Sequence, residues 1–157
     1  MTLAIRLLVA LLFLEALVVG VWNTLAPRSF YTDFPTVDIN PPFSEHFSRD
    51  LGAVMLGLAI VLGFALVRPV AHHLIPAALA YTAFAIPHFF FHVTNMENAT
   101  VGQAILLTSG NALFAVLGLL VLLLTAIRDR GLYGGSRREE SRDDTGADRG
   151  RRAERLL

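Results

Sequence analysis

Residues 3–26 read Leu-Ala-Ile-Arg-Leu-Leu-Val-Ala-Leu-Leu-Phe-Leu-Glu-Ala-Leu-Val-Val-Gly-Val-Trp-Asn-Thr-Leu-Ala. Whether oil or water surrounds this run decides what the rest of the chain can be. A helix rises about 1.5 Å per residue, so roughly 20 apolar residues cross the core of a bilayer. The run has that length, with Arg6 at its front and Glu15 inside it. A secretory signal also opens with a basic residue and an apolar stretch. This run is too long for one, contains Glu15, and closes on Asn23-Thr-Leu-Ala-Pro27 without a small-x-small cleavage site. It is expected to be an uncleaved first transmembrane helix.

Three more apolar runs follow, at about 45–67, 70–93 and 101–127. Ser44 suits an N-cap for the first of these, and Glu45 suits its first turn, where the helix dipole favours an acid. Ala53, Gly57, Ala59 and Gly63 give it a small-residue character that lets a neighbouring backbone approach closely. Arg68-Pro69 ends it. In the next run Pro76 falls near the first turn and costs little, whereas Pro87 is interior and removes a donor from the carbonyl of Ala83. The last run carries Gly102, Gly110 and Gly118 at intervals of eight residues.

The connections differ in kind. Residues 27–44 hold Pro27, Pro35, Pro41 and Pro42 with Phe30, Tyr31, Phe34 and Phe43 among them. Four prolines argue against a regular helix, and the aromatics suit the headgroup layer. This loop is expected to lie on the membrane surface, as a connector or as a lid. Residues 95–100 form a short polar loop. From Arg128 to Leu157, Arg, Asp, Glu, Gly and Ser alternate and cannot build a core. That tail is expected to be disordered, or weakly helical at its end.

Composition agrees with this division. The chain has 157 residues, the size of one domain, and 54% are hydrophobic, above the usual share of a soluble domain. Residues 1–127 carry four arginines against six acids, and residues 128–157 nine arginines against seven acids. The zero net charge therefore conceals an apolar body and a charged tail. There is no cysteine, which excludes disulfides, thiolate metal sites and cysteine catalysis. Arg6, Arg68, Arg128 and Arg130 all fall at one end of the four runs, so the positive-inside rule predicts both termini cytoplasmic and residues 27–44 and 95–100 outside.

Polar groups inside the apolar runs need a reason, because lipid makes them expensive. They fall into two layers. Glu15, Tyr81 and Asn111 lie at similar depth, roughly 15 Å from the outer helix ends at about 1.5 Å per residue. A neutral Glu15 there could donate to Asn111 or Ser109. Such a group either handles a proton or ligand, or simply fixes helix packing with an interhelical hydrogen bond. The second layer lies at the outer mouth. His46 and Asp50 are spaced i, i+4, as are His88 and His92. If their two helices are antiparallel neighbours, three imidazoles and a carboxylate could converge and take a divalent transition metal such as zinc. Otherwise they are interfacial side chains bonded to water or carboxylates. Tyr81, Phe84, His88, His92 and Asn95 share one helical face. Glu45 and Arg49 read as a local ion pair, and His72 and His73 as headgroup-level residues at the opposite end.

No phosphate-binding glycine loop, serine nucleophile elbow or nucleic-acid motif is present, and acids dilute the basic tail. No nucleic-acid partner is therefore expected. Leu25-Ala-Pro-Arg-Ser-Phe30, Glu45-His-Phe-Ser-Arg-Asp-Leu-Gly52 and Gly57-Leu-Ala59, set in a four-segment plan over 1–127, resemble the small four-helix bacterial membrane proteins called DoxX-like. Some of these are described as membrane subunits of redox complexes, and a redox role here would follow by analogy alone.

These observations lead to an all-α fold, a bundle of four transmembrane helices in the cell membrane. The leading functional expectation is a non-enzymatic accessory subunit or small-ligand-binding protein, working as a homo-oligomer or in a larger membrane complex. A second is a metal-dependent or redox enzyme using His46, Asp50, His88 and His92. A third is a proton-coupled transporter with Glu15 as carrier, which four helices could support only as a dimer.

Overall fold

A computed structural model of the chain describes residues 1–39 and 42–130 in full, and beyond them only the backbone of the last helix. Among the described residues five α-helices occur in the order α1 (Thr2–Leu25), α2 (Pro27–Asp33), α3 (Glu45–Val67), α4 (Ala71–Thr94) and α5 (Val101–Glu154), with a 3-10 turn at Val37–Ile39. No strand occurs among the described residues. The chain divides into two compact units, Met1–Thr125 and Ala126–Leu157. In the second, Arg128 pairs with Asp129 at 2.8 Å. Helix α5 runs on past residue 127, where the sequence places its end and a disordered or weakly helical tail is expected, and from residue 131 onward the side chains of that tail lie outside the described residues.

Among the described residues four helices are long and apolar enough to cross a membrane: α1, α3, α4 and the Val101–Arg130 part of α5. The all-α, four-helix reading of the sequence is therefore the observed fold. The helix ends follow local chemistry. The Ser44 hydroxyl accepts the Phe47 N–H at 3.4 Å, the N-cap bond expected of it. Arg68, held before Pro69, caps α3. Helix α4 runs through both Pro76 and Pro87.

The connection 27–44 departs from expectation, because it contains the two-turn helix α2. Pro27 occupies the first helical position, where a missing N–H costs nothing and its fixed φ is already helical. Residues 28–34 then contain no proline. Phe34, obliged by Pro35 to leave the helical region, ends α2 in extended conformation. Thr36 follows with a left-handed φ of 74°, unusual for a β-branched residue, and turns the chain into the 3-10 segment.

The core in the first unit is built from one stripe per helix. On α1, Ile5, Val9, Leu12, Ala16 and Gly20 are buried at steps of three and four. The opposite face, with Leu7, Leu11, Leu14 and Val18, is exposed. Polar-free exposed stripes of this kind suit hydrocarbon. Helices α1 and α3 approach most closely where two glycines meet. A Cβ on Gly52 would stand 2.7 Å from the Thr24 nitrogen and 3.0 Å from the Gly20 carbonyl oxygen. The small-residue face expected on α3 is split. Ala59 is buried and Gly63 rests against Phe13, whereas Ala53 and Gly57 point away from the core. The contact with α4 brings Gly118 of α5 against Tyr81 and Thr82.

Candidate functional site

Tyr81 sits in the buried stripe Leu74, Ala77, Ala78, Tyr81, Thr82 and Ala85 of α4 and is only 1% exposed. Its ring is large and its neighbours on the stripe are small, so the phenol extends across the bundle. There its hydroxyl donates to Glu15 Oε2 of α1 at 2.8 Å. Gly118 of α5 packs beside this stripe: a Cβ there would stand 2.7 Å from the Thr82 hydroxyl and in ordinary contact with the Tyr81 ring at 3.6 Å. The bond joins positions 66 residues apart. Glu15 itself keeps partial exposure. The pair is thus a buried donor with an accessible acceptor, one carboxylate oxygen being committed to the phenol.

Asn111, the third member of the expected inner layer, does not join this pair. Its amide nitrogen donates to the Leu107 carbonyl at 2.9 Å, four residues back on its own helix. Ser109 likewise bonds the carbonyls of Ile105 and Leu106. A short polar side chain inside a helix can satisfy itself on the preceding turn without a partner from another helix. Among the described hydrogen bonds Glu15 is joined to Tyr81 and to neither of these.

The expected metal set also comes apart. His46 Nε2 and Asp50 Oδ2 lie 3.3 Å apart on α3, with side chains 90% and 64% exposed. On α4 the rings of His88 and His92 meet edge to face with centroids 4.5 Å apart. The two pairs remain separate, and no group of three or more metal-capable side chains forms among the described residues. The cause is the rotation of α3. Gly52 must face α1, and at about 100° per residue this turns His46 and Asp50 more than 100° away from that face. Glu45 and Arg49 are left on the α1 side. They form the expected ion pair at 2.9 Å, and Arg49 also donates to the Thr24 carbonyl, tying the start of α3 to the end of α1.

The face of α4 beyond Tyr81 is an aromatic column. Phe84 stacks on His88 with centroids 5.0 Å apart, and His88 meets His92. His92 Nδ1 is buried without a hydrogen-bond partner. Asn95 closes the column by donating to the Phe91 carbonyl at 2.8 Å.

A cap lies above this end of the helices, and sequence reasoning did not find its internal chemistry. Trp22 Nε1 donates to Ser29 Oγ at 3.1 Å, and Ser29 donates to Asp33 Oδ2 at 2.8 Å. Phe30 and Phe34 stack at 4.8 Å beside the Trp22 ring. Hydrogen bonds from Ser29 and then Thr32 hold the Asp33 carboxyl below the usual carboxylate range. Asn98 donates to the Ile39 carbonyl at 3.2 Å, joining the two connections at one end of the bundle. The spacings 22, 29 and 33 were available as a signal, being one helical face interrupted by Pro27.

The fold and the Glu15–Tyr81 pair define a class: a multi-pass helical membrane protein with one carboxyl–phenol link inside an apolar bundle. No known family model, curated protein or solved structure matches the chain.

Proposed function

We propose that this is a multi-pass protein of the cell membrane that acts without chemistry of its own, as an accessory subunit or small-ligand-binding component. Glu15 is its recognition point. The observation that carries this reading is the Glu15–Tyr81 hydrogen bond at 2.8 Å, together with the partial exposure that Glu15 retains. A bond serving packing alone has no need of an accessible carboxyl. A carboxyl held by a phenol and reachable from outside the core can receive a donor from a small molecule or a neighbouring helix.

The arginine distribution supports both termini on the cytoplasmic side, with α2 and residues 95–100 outside. The same proposal includes a distant DoxX-like relationship. Its support is the Glu45–Gly52 stretch together with the four-helix plan. Assembly as a homo-oligomer or in a larger membrane complex belongs to this reading too.

The test is affinity purification of wild type, Glu15→Gln and Tyr81→Phe from native membranes, with co-purifying small molecules and subunits identified by mass spectrometry. Interhelical hydrogen bonds in membranes average only about 0.6 kcal/mol and reach about 1.7. All three proteins should therefore insert and fold, with modest losses of thermal stability. Glu15→Gln should lose a bound species that wild type retains. Identical co-purification profiles would reduce the pair to a fastener between α1 and α4.

A further inference from the structure

The end of the bundle opposite the cap has a groove that the Glu15–Tyr81 pair does not use. It measures about 470 Å³ and lies between α3 and α4, lined by Val61, Phe64, His72, His73, Pro76 and Ala80. Its floor is low because Pro76 and the alanines of α4 carry little side chain. Its wall is Phe64, which is largely exposed. Polarity is confined to one end. The His72 and His73 rings meet there with centroids 4.2 Å apart. His73 Nδ1 lies 3.1 Å from the Arg68 carbonyl oxygen. A carbonyl can only accept, so Nδ1 carries the hydrogen, and a ring with one N–H leaves Nε2 to accept from a hydroxyl. Arg68, whose carbonyl accepts that bond, is exposed and brings a guanidinium, a bidentate phosphate donor, to the same end of α3.

We infer that this groove is a binding site for one anionic phospholipid, with an acyl chain along Phe64, Val61 and Ala80, the phosphate against Arg68, and a headgroup hydroxyl donating to His73 Nε2. From His72 to Ala80 is about 12 Å at 1.5 Å per residue, most of the roughly 15 Å depth of one leaflet's hydrocarbon. The polar end therefore falls at headgroup level when the apolar end is in the chains. No carboxylate lines the groove, so an anion is the complementary head. A second copy lying side by side in a membrane would bring its own Arg68, His72 and His73 to this level, whereas a lipid phosphate brings the opposite charge. The inference rests on the membrane-spanning fold and is independent of any role for Glu15.

The experiment is native mass spectrometry of the full chain in neutral detergent, titrated with dioleoyl phosphatidylglycerol or dioleoyl phosphatidylcholine. The first phosphatidylglycerol should bind about fivefold or more tighter, the factor expected from one fixed cation near the headgroup. Arg68→Gln should bring the two lipids to similar affinity, and the combined Arg68→Gln, His72→Gln, His73→Gln variant should abolish the preference. Arg68 is exposed and outside the core, so the single variant remains informative if the triple variant fails to fold. Ala80→Trp, which fills the groove, should weaken the first binding event for both lipids. Equal affinities in wild type, a preference unchanged in Arg68→Gln, or displacement of the bound lipid by millimolar glycerol phosphate without acyl chains would each overturn the assignment.

Discussion

Trp22, Ser29 and Asp33 form a directional chain: an indole that can only donate, a hydroxyl that accepts and donates, and a carboxylate that only accepts. Thr32 gives Asp33 a second bond at 2.8 Å. Because these bonds favour the charged form, Asp33 titrates below an ordinary aspartate. A depressed folded-state value means that the cap gains its support above the ordinary carboxylate range and loses it as pH falls through the lower, folded value. Trp22 is the sole tryptophan and reports on this chain directly. Its emission should stay constant from pH 7 down to about 4, the ordinary aspartate value, and change only below it. Asp33→Asn should abolish that step, and a transition above about pH 5 would contradict it. The residue types of this chain were visible in the sequence. Their partnership was not, because Pro27 was read as the first of four helix breakers when its position makes it a helix starter.

At the scale of elements, the glycines separate sequence pattern from structure. Intervals of eight on the last helix and the Gly57 region on α3 draw the eye in the sequence. Yet Gly57, Gly102 and Gly110 have nothing within 4 Å of a Cβ position, while Gly20 and Gly52 sit where two backbones touch. A methyl group at Gly52 has only backbone and Thr24 to push against, and backbone cannot rotate aside. Gly52→Ala should therefore destabilise the protein by about 1–3 kcal/mol, the usual cost of overpacking. Gly57→Ala should stay within about 0.5 kcal/mol of wild type, as exposed substitutions do. Thermal unfolding in detergent would measure both, and a neutral Gly52→Ala would show that α1 and α3 are not in that register. The same register accounts for the separated histidine pairs. Once Gly52 faces α1, the direction of His46 and Asp50 is fixed by helix geometry.

For the whole molecule, the decisive quantity is exposed apolar surface. Soluble monomers rarely present apolar patches beyond a few hundred Å². Here α1 alone exposes Leu3, Leu7, Leu11, Leu14, Val18, Val21 and Leu25 along its full length. The other long helices do likewise, with Ile60 and Phe64 on α3, Leu79 and Phe90 on α4, and Ile105, Leu113 and Leu123 on α5. The protein should stay in the membrane pellet through an alkaline carbonate wash and leave it only with detergent. Recovery from the supernatant of washed membranes would remove the membrane-spanning reading and the lipid site with it.

The sequence by itself determined the four spans, the stop at Arg68-Pro69, the Ser44 cap and the Glu45–Arg49 pair. Each of these depends on residues within a few positions of one another, where helix geometry leaves little freedom. It also marked Glu15 and Tyr81 as polar groups in apolar surroundings. Only the tertiary structure decided that those two meet while Asn111 turns back on its own helix. It alone split the histidines and placed a groove beside His72 and His73. The reason is rotational: a helix's period says which residues share a face, but the azimuth of that face is set by what it packs against, and here two glycines 32 positions apart set it.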